Sequence, residues 1–385
     1  MSAHAILSPS SAARWLACTP SARLEEKFPD SSGEYAEEGT LAHAFGENVL
    51  RYLNDEIDTL EHTGMIRKLS EHRLYTRELQ KYAEDYAHTV WVKYQTAKKD
   101  NPDAILRIEE QIDLTAYAPE SFGTGDAVIL AGNTIEIIDL KYGKGVPVSA
   151  LDNKQMMLYA LGAYDMFGFM YETERVRMTI YQPRLDNLSE SEMPITDLLV
   201  WGENELKPLA QKAFKGEGEF KAGSHCRFCR AKVRCKAFAS YNLDLARFDF
   251  LDAELLSESE IAEVLAKADV FKNWLSAVEE YALKTALDGT RFPGYKLVEG
   301  RSVRKYSDET KVAETLIKNG FKEEQIYDRK LKTITAMEKV ITKKTFGALL
   351  DGLVIKPEGK PTLVPDSDSR PEYNSAVKDF ENVQI

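Results

Sequence analysis

The sequence has no long apolar segment, since none of its hydrophobic runs approaches the ~18 residues that a membrane-spanning helix needs. Its first residues also lack the basic stretch followed by an apolar one that is typical of a secretory signal. We therefore expect a cytoplasmic protein with no membrane partner.

Basic residues are scarce relative to acidic ones: 50 Lys and Arg against 62 Asp and Glu give a net charge of −12. This balance weighs against a protein that coats nucleic-acid backbones, because phosphate binding requires clustered Lys and Arg. It does not exclude an enzyme that grips DNA in a local basic groove, since a carboxylate-rich metal site would itself add negative charge. No G-x-x-x-x-G-K-[ST] loop is present, so no helicase motor is expected.

The order of hydrophobic patterns predicts an α/β fold with a mixed sheet flanked by helices. Four strand-like segments follow a helical first hundred residues, and one crossover helix separates the last two strands. The predicted strands cover 104–112, 127–130, 134–140 and 176–182. The predicted helices cover 8–27, a segment from about 35, 153–166, 198–214 and 258–288, and one or two further charged helices are predicted over 66–99.

We expect four regions along the chain. The main domain covers 1–240, a helical segment 241–290, and a small α+β region 291–355 with candidate strands at 295–297 and 302–306. The last part, 356–385, is rich in Pro, Asp and Ser, which is typical of an extended tail. The basic stretch 296–305 is either a strand that contacts DNA or a solvated strand.

All four cysteines form one candidate metal site, because Cys18 is joined by the C-x2-C-x5-C triplet of Cys226, Cys229 and Cys235. Two cysteines separated by two residues can turn both thiolates toward one centre, as in iron–sulfur clusters and structural zinc sites. A cytosolic chain has little use for disulfides. Four cysteines that serve only as small apolar residues are the alternative. The spacing leaves zinc and iron–sulfur both open.

A second candidate site combines Asp126 with the D-x-K of Asp139 and Lys141, thirteen residues later. In a strand over 135–141, Asp139 and Lys141 point to the same face, because side chains alternate. A neighbouring strand that starts at Asp126 would place its carboxylate beside them. Converging carboxylates favour a cation, and Mg²⁺ or Mn²⁺ prefers oxygen ligands. A nearby lysine can position water and stabilise charge on phosphate, which suits phosphodiester hydrolysis.

Each part of this second site has a purely structural alternative. The D-x-K could be a surface hairpin with an ordinary salt bridge. His43, on a predicted helix, could be a packing histidine. Tyr159 lies four residues after Gln155 on the same helical face, and it could be a core residue. The presence of all these residues in one chain favours the functional interpretation.

Taken together, the residues resemble the RecB-like branch of the PD-(D/E)XK nuclease superfamily. The motifs occur in that family's order: G-x-x-x-H at His43, G-x-x-D at Asp126, D-x-K at Asp139 and Lys141, and Q-x-x-x-Y at Gln155 and Tyr159. The four cysteines are similar to those of its iron–sulfur subset, which includes AddAB-type and CRISPR-adaptation exonucleases. The resemblance covers about residues 8–238. A still closer resemblance is to a phage and prophage family that carries the phrases YAEEGTLAH, FGTGDAVI and IIDLKYGKGVPV.

The resemblance implies roles for the residues of the second site. Asp126 and Asp139 would ligate Mg²⁺ or Mn²⁺, and His43 would complete the ligand shell. Lys141 would assist the attacking water, while Gln155 and Tyr159 would position the site or the DNA strand. Glu110 is an outside candidate, because the adjacent acidic pair 109–110 could instead face solvent.

The resemblance also implies a restriction-endonuclease-like core over residues 1–240, with an iron–sulfur clasp and a helical or mixed C-terminal extension. Cys18, Cys226, Cys229 and Cys235 would hold a [4Fe–4S] cluster, with zinc as the alternative. The implied function is a metal-dependent DNA nuclease, most simply an exonuclease, that acts with phage replication or recombination proteins. The alternative is a catalytically weak iron–sulfur or zinc protein that binds DNA or serves as a scaffold.

Overall fold

The computed structural model describes residues 5–28, 33–244, 257–298, 308–320, 322–327, 332–341, 343–350 and 353–354. The chain divides into two compact units, Met1–Thr285 and Ala286–Ile385. Among the described residues, no helix combines the length and the apolar character needed to cross a bilayer. The predicted division into four regions at 240, 290 and 355 stays a prediction.

A five-stranded mixed sheet forms the centre of the first unit, with strands in chain order. Only β3 and β4 are parallel, and the other neighbouring strands are antiparallel. The bounds are β1 Ile105–Asp113, β2 Phe122–Ala131, β3 Thr134–Leu140, β4 Arg175–Gln182 and β5 Asn187–Pro194. The predicted mixed α/β fold is confirmed, and β5 is an additional strand.

Helix α6 (Lys154–Tyr171) connects the two parallel strands, as a parallel pair requires a crossover. The side chain of Asn153 starts the helix by accepting the backbone N–H groups of Gln155 and Met156. The helix is buried along most of its length. It packs on one face of the sheet, where Val128, Ile135, Ile137 and other strand residues join the same apolar core.

The opposite face of the sheet is covered by two long amphipathic helices, α3 (Glu34–Leu53) and α5 (Arg77–Asp100), which share a second apolar core with residues of β1, β2 and β3. Between them lies α4 (Thr59–Ser70), which begins with a capping box formed by Asp58 and Glu61. The sheet is therefore buried on both faces, which explains why its central strands are almost continuously apolar.

The N-terminal segment is not the single helix predicted over 8–27. A 3₁₀ turn at Pro9–Ser11 leads into α1 (Ala12–Ala17), and the helix stops at Cys18 before α2 (Ser21–Glu25). The predicted helix over 198–214 is present as an uninterrupted helical stretch of α7 (Ile195–Trp201), a π turn at Gly202–Leu206 and α8 (Lys207–Lys215).

The cysteine-bearing segment follows, with a 3₁₀ turn at Ser224–Phe228 and α9 (Lys236–Leu243). The predicted long helix is present as α10 (Glu258–Leu287). The second unit contains α11 Glu309–Lys318, α12 Glu323–Ile326, α13 Ile334–Ile341 and α14 Lys343–Leu349. The candidate strand at 295–297 is wrong, since these residues belong to no strand. The candidate strand at 302–306 and the tail from 356 lie outside the described residues.

Candidate metal centre and carboxylate–lysine network

Three carboxylates lie in one row across the first three strands. Ile108 pairs with Ala127, and Ala127 pairs with Ile138. One position further toward the same end of the sheet lie Glu109 on β1, Asp126 on β2 and Asp139 on β3. Because β2 runs in the opposite direction, Asp126 precedes Ala127 in the chain. Like charges on adjacent strands repel one another, so a row of three needs compensating positive charge.

Glu109, Asp126 and His43 form a compact group, in which one candidate ligand atom from each residue lies within 4.8 Å of the others. His43 comes from α3, and its Nδ1 lies 3.2 Å from Asp126 Oδ1. The other oxygen of Asp126 accepts the backbone N–H of Leu140 at 2.7 Å. One oxygen of Asp126 is thus held by the sheet, and the other is oriented toward the histidine.

Sequence reasoning missed Glu109 and considered its neighbour Glu110 instead. Glu110 pairs regularly across from Gly125 in the β1–β2 ladder. Glu109 has a left-handed backbone with φ of +50° inside the strand, which is uncommon for a residue other than glycine. No property of the local sequence marks Glu109 as irregular, because only the pairing with β2 reveals its conformation.

The third carboxylate of the row, Asp139, takes part in a network with Lys141 and Gln155. Lys141 Nζ donates to Asp139 Oδ1 at 3.2 Å and to Gln155 Oε1 at 2.8 Å. Gln155 Nε2 in turn donates to Asp139 Oδ1 at 3.1 Å. Asp139 Oδ2 is buried and accepts no well-directed hydrogen bond, although Lys141 Nζ lies 2.9 Å from it. This oxygen retains capacity for a further partner.

The structure brings most of the predicted residues of this site together. His43 and Asp126 are in the compact group, while Asp139, Lys141 and Gln155 form the neighbouring network. Tyr159 is 6% exposed and belongs to the apolar core on the α6 face. Its ring packs so close to Gly123 of β2 that a Cβ there would lie 2.8 Å from Tyr159 Cε1. Burial raises the pKa of Tyr159, the charge of Asp139 adds to this effect, and a hydrogen bond with the side chain of Gln155 opposes it, so Tyr159 also borders the network.

Burial and the charges of neighbouring groups shift the pKa values of the ionisable side chains in this site. Burial raises the pKa of Glu109 to about 7, and the charge of Asp126 adds to this effect. Burial alone would lower the pKa of His43, but the charge of Asp126 and the hydrogen bond to it raise that pKa to about 9. Burial also raises the pKa of Asp139, against the opposing charge of Lys141. These shifts reflect the burial of the acidic groups and the repulsion between them.

The donor set fits a divalent cation. It offers one imidazole nitrogen and carboxylate oxygens, which are ligands for Mg²⁺ and Mn²⁺ as well as other divalent metals. Burial and the charge of Asp126 raise the pKa of Glu109, so a bound cation would relieve the repulsion between these carboxylates. A buried group of histidine, glutamate and aspartate that could bind a metal is therefore present in this chain.

The four predicted cysteine ligands are all free thiols, and all except the half-buried Cys235 are buried. Burial raises the pKa of Cys226, and the nearby thiols of Cys235 and Cys18 add to this effect. Cys226 in turn adds to the raised pKa of Cys229, so the fold gathers all four residues. No three of their sulfurs lie within 4.8 Å of one another in the described chain. Thiolates around tetrahedral zinc lie closer, about 3.8 Å apart for 2.3 Å bonds.

A buried ion pair in the N-terminal segment forms hydrogen bonds with the backbone of the cysteine-bearing loop. Arg14 Nε donates to Glu25 Oε2 at 2.7 Å, and Arg14 also reaches the carbonyl oxygen of Phe228 at 3.3 Å. The second oxygen of Glu25 accepts the backbone N–H of Arg230 at 2.7 Å. The side chain of Thr19 donates to the carbonyl oxygen of Glu217 at 2.6 Å. The two ends of the first 240 residues are thus joined by polar contacts beside the four cysteines.

Fold and site together define a mixed α/β protein with a buried histidine–carboxylate group that could hold a metal ion, beside an aspartate–lysine–glutamine network. The chain belongs to the family described as "Protein of unknown function (DUF2800)", which matches residues 4–371.

Two solved structures are similar to parts of the chain. One is described as a "putative exonuclease" from Eubacterium rectale; it is 12% identical, the match covers 66% of this chain and 92% of that one, and the TM-score is 0.33. The other, SSO0001, is 14% identical, with 50% of this chain and 85% of that one covered and a TM-score of 0.21. Neither likeness is close enough to carry an argument about activity.

Proposed function

We propose that this chain is a metal-dependent deoxyribonuclease that hydrolyses phosphodiester bonds. The observation that carries the proposal is that a candidate metal-binding group and an aspartate–lysine pair lie side by side on the sheet. The potential metal ligands His43, Glu109 and Asp126 lie together, and the Asp139–Lys141 pair extends the same row. Phosphodiester hydrolysis needs both a cation and a nearby positive donor for the developing charge on phosphate.

In this proposal, His43, Glu109 and Asp126 hold the cation, and Asp139 supplies a further oxygen through Oδ2. A bound divalent cation supplies Lewis acidity and lowers the pKa of water to generate a nucleophile. Leu140 holds Asp126 in orientation through its backbone N–H, so this ligand needs little rearrangement. Glu109 is the ligand that the sequence motifs did not include.

Lys141 would stabilise negative charge on the scissile phosphate and orient the attacking water. Gln155 fixes the lysine by accepting from Nζ at 2.8 Å, and it holds Asp139 with its own amide group. Both contacts leave Lys141 beside the carboxylate row instead of extended into solvent. Tyr159 would help Gln155 to position the site or the DNA strand, since the side chains of the two residues share a hydrogen bond.

We further propose DNA as the substrate and exonucleolytic action in phage replication or recombination, which rest on the family resemblance of the motifs. The same applies to a cytoplasmic location and to phage replication or recombination proteins as partners. A local basic groove must then supply phosphate contacts, since the net charge of −12 opposes general attraction to DNA.

We propose that Cys18, Cys226, Cys229 and Cys235 hold a [4Fe–4S] cluster. Support comes from four free cysteines that the fold gathers, together with the resemblance of their spacing to the iron–sulfur subset. The cluster would join α1 to the loop after α8 and so close the nuclease domain. Anaerobic preparation should give a brown protein with about four iron atoms per chain for such a cluster. A colourless protein that contains zinc would contradict this proposal.

The nuclease is tested by cleavage of end-labelled single- and double-stranded DNA with Mn²⁺ or Mg²⁺. Lys141→Ala is compared with Lys144→Ala, because Lys144 is an exposed lysine in the following loop and provides a matched control. We expect Lys141→Ala to lose at least about 100-fold in rate, the scale for removal of a group that stabilises transition-state charge. Lys144→Ala should stay within about threefold of wild type.

Circular dichroism of both variants establishes that the fold is retained. Equal activity in wild type and Lys141→Ala would place the activity elsewhere or in a contaminant. No cleavage by cluster-loaded wild type with either metal would favour the scaffolding alternative. The ladder of labelled products distinguishes stepwise removal from an end from internal cleavage.

A further inference from the structure

Tyr86 has a buried hydroxyl group that no described residue satisfies. The residue lies on α5 and is 2% exposed, yet its phenolic oxygen makes no hydrogen bond to any described residue. Buried hydroxyl groups in folded proteins are nearly always satisfied, because an unmade hydrogen bond in the interior is costly. An exception of this kind calls for a partner that does not belong to the protein.

Packing holds the ring of Tyr86 in place. A Cβ on Gly46 of α3 would lie 3.0 Å from Tyr86 Cδ1, so the ring lies directly against the helix backbone. The ring of Tyr181 packs beside it, with 6.0 Å between the ring centroids. Gly46 lies one helical turn after His43, a candidate metal ligand. The ring of Tyr86 is therefore fixed against α3, one helical turn from His43.

The charges that act on this hydroxyl group are those of the candidate metal centre. Burial raises the pKa of Tyr86 well above its ordinary range, and the charges of Asp126, Glu109 and Asp139 raise it further. The phenol therefore keeps its proton at any working pH and can serve as a neutral hydrogen-bond donor. None of the sequence motifs includes this residue.

We propose that Tyr86 is a positioning residue of the metal centre, whose hydroxyl group donates a hydrogen bond to a water that hydrates the bound divalent cation. The inference rests on the metal centre proposed above. Mg²⁺ characteristically keeps several waters, so a site with a few protein ligands leaves water to be oriented by its surroundings. A buried water needs two to four polar partners, and the phenol provides one beside the carboxylates.

The test compares Tyr86→Phe with Tyr94→Phe. Tyr94 is a matched control, because it is buried on the same helix and its hydroxyl group already donates to Ala104 O at 3.3 Å. In the metal-free protein, Tyr86→Phe should melt at the same temperature as wild type or higher, since no protein hydrogen bond is lost. Tyr94→Phe should melt lower.

Metal binding, in contrast to thermal stability, should be weakened by Tyr86→Phe and left unchanged by Tyr94→Phe. Isothermal titration with Mn²⁺ in the absence of DNA should show about tenfold weaker binding for Tyr86→Phe, the scale for residues that contact a metal's ligand shell. Tyr94→Phe should bind Mn²⁺ as wild type does. Equal Mn²⁺ affinity in Tyr86→Phe and wild type would overturn the proposal. Destabilisation of metal-free Tyr86→Phe to the extent seen for Tyr94→Phe would also overturn it.

The two proposals fail in distinguishable ways. If wild type binds Mn²⁺ but does not cleave DNA, the nuclease is wrong, while the Mn²⁺ comparison still decides the role of Tyr86. If wild type cleaves DNA and Tyr86→Phe matches it in both Mn²⁺ affinity and rate, only the role of Tyr86 is wrong. If wild type does not bind Mn²⁺, the metal centre and the role of Tyr86 are both wrong.

Discussion

Glu109 lies across from Asp126 in the β1–β2 ladder, between the regular pairs Ile108–Ala127 and Glu110–Gly125. Its left-handed φ of +50° interrupts the alternation of β1. Before it, Leu106 and Ile108 pack in the core of α3 and α5, whereas Ile112 packs in the core of α6, although all three are even-numbered. A regular strand would place them on one face.

This irregular residue is also the one that approaches His43. A left-handed backbone at a residue other than glycine costs on the order of 1–3 kcal/mol and tends to persist where function requires it. Here the conformation accompanies the grouping of Glu109 with His43 and Asp126. We infer that β1 is distorted so that a carboxylate from the edge of the sheet can join the candidate metal centre.

The first prediction separates Glu109 from its neighbour. Glu109→Gln should weaken Mn²⁺ binding by about 10-fold or more, because it removes a charged ligand. Glu110→Gln should leave Mn²⁺ affinity unchanged, since Glu110 is outside the compact group. Isothermal titration of both variants provides the comparison. A larger loss for Glu110→Gln would assign the ligand to the other residue of the pair.

The second prediction concerns pH and the metal-free protein. Because the folded state raises the pKa of Glu109 from 4.5 to about 7, Glu109 is deprotonated first in the unfolded chain. Glu109 therefore lowers the free energy of unfolding progressively as pH rises from 4.5 to about 7. The pKa of His43 is raised from 6.5 to about 9, so its stabilising contribution is complete below 6.5 and is lost as pH rises through about 9.

Chemical denaturation of metal-free protein should therefore show that the site destabilises the fold progressively from about pH 5 to about pH 9. Glu109→Gln should remove the lower part of this dependence, which isolates the site from other titrating groups. Mn²⁺ should oppose the loss, and its affinity should increase with pH, because ligands must release protons. A Glu109→Gln profile that parallels wild type would refute the assignment.

The third prediction concerns the amide that holds Lys141. Gln155→Leu removes the contacts to Lys141 and Asp139, and it should lower the cleavage rate by about tenfold, the scale for a supporting residue. Gln211→Leu, an exposed position on α8, is the matched control and should cleave at the wild-type rate. Rates are measured at saturating Mn²⁺ and DNA. Unchanged cleavage by Gln155→Leu would show that Lys141 does not depend on this amide.

The fourth prediction concerns the buried ion pair next to the cysteines. Glu25→Ala leaves Arg14 and the N–H of Arg230 without this carboxylate, and it should lower the free energy of unfolding by about 3 kcal/mol. Glu26→Ala is the control, because Glu26 forms an exposed pair with Arg23 that is worth less than about 1 kcal/mol. Urea denaturation gives both values. Equal effects would show that the buried contacts do not stabilise the domain.

Much of the fold could be predicted from the sequence. The segments of β2, β3 and β4 are short apolar runs with β-branched residues, and the crossover helix between β3 and β4 has a capping asparagine. The edge strand β5, with sequence NLSESEMP, was missed because its polar composition gives no strand signal. It forms a strand because it pairs with β4 along its full length. Such pairing is a tertiary interaction that local patterns do not contain.

The candidate site likewise contains residues that the sequence predicted and residues that it did not. The spacing of the sequence motifs predicted the site residues His43, Asp126, Asp139, Lys141 and Gln155. Such residues can converge because side chains alternate along strands and share one face at helical spacing. Glu109 and Tyr86 carry no motif. Glu109 enters the site through an irregular backbone conformation, and Tyr86 enters through packing between α5 and α3.

The sequence by itself determined the mixed α/β architecture and the residue types that suit a metal, because hydrophobic periodicity and short spacings act locally along the chain. Only the tertiary structure decided which carboxylates share a row, which glutamate faces the histidine and that the Tyr86 hydroxyl group has no hydrogen-bond partner among the described residues. Those outcomes depend on strand register and helix packing between segments far apart in sequence. Local propensity does not specify such contacts.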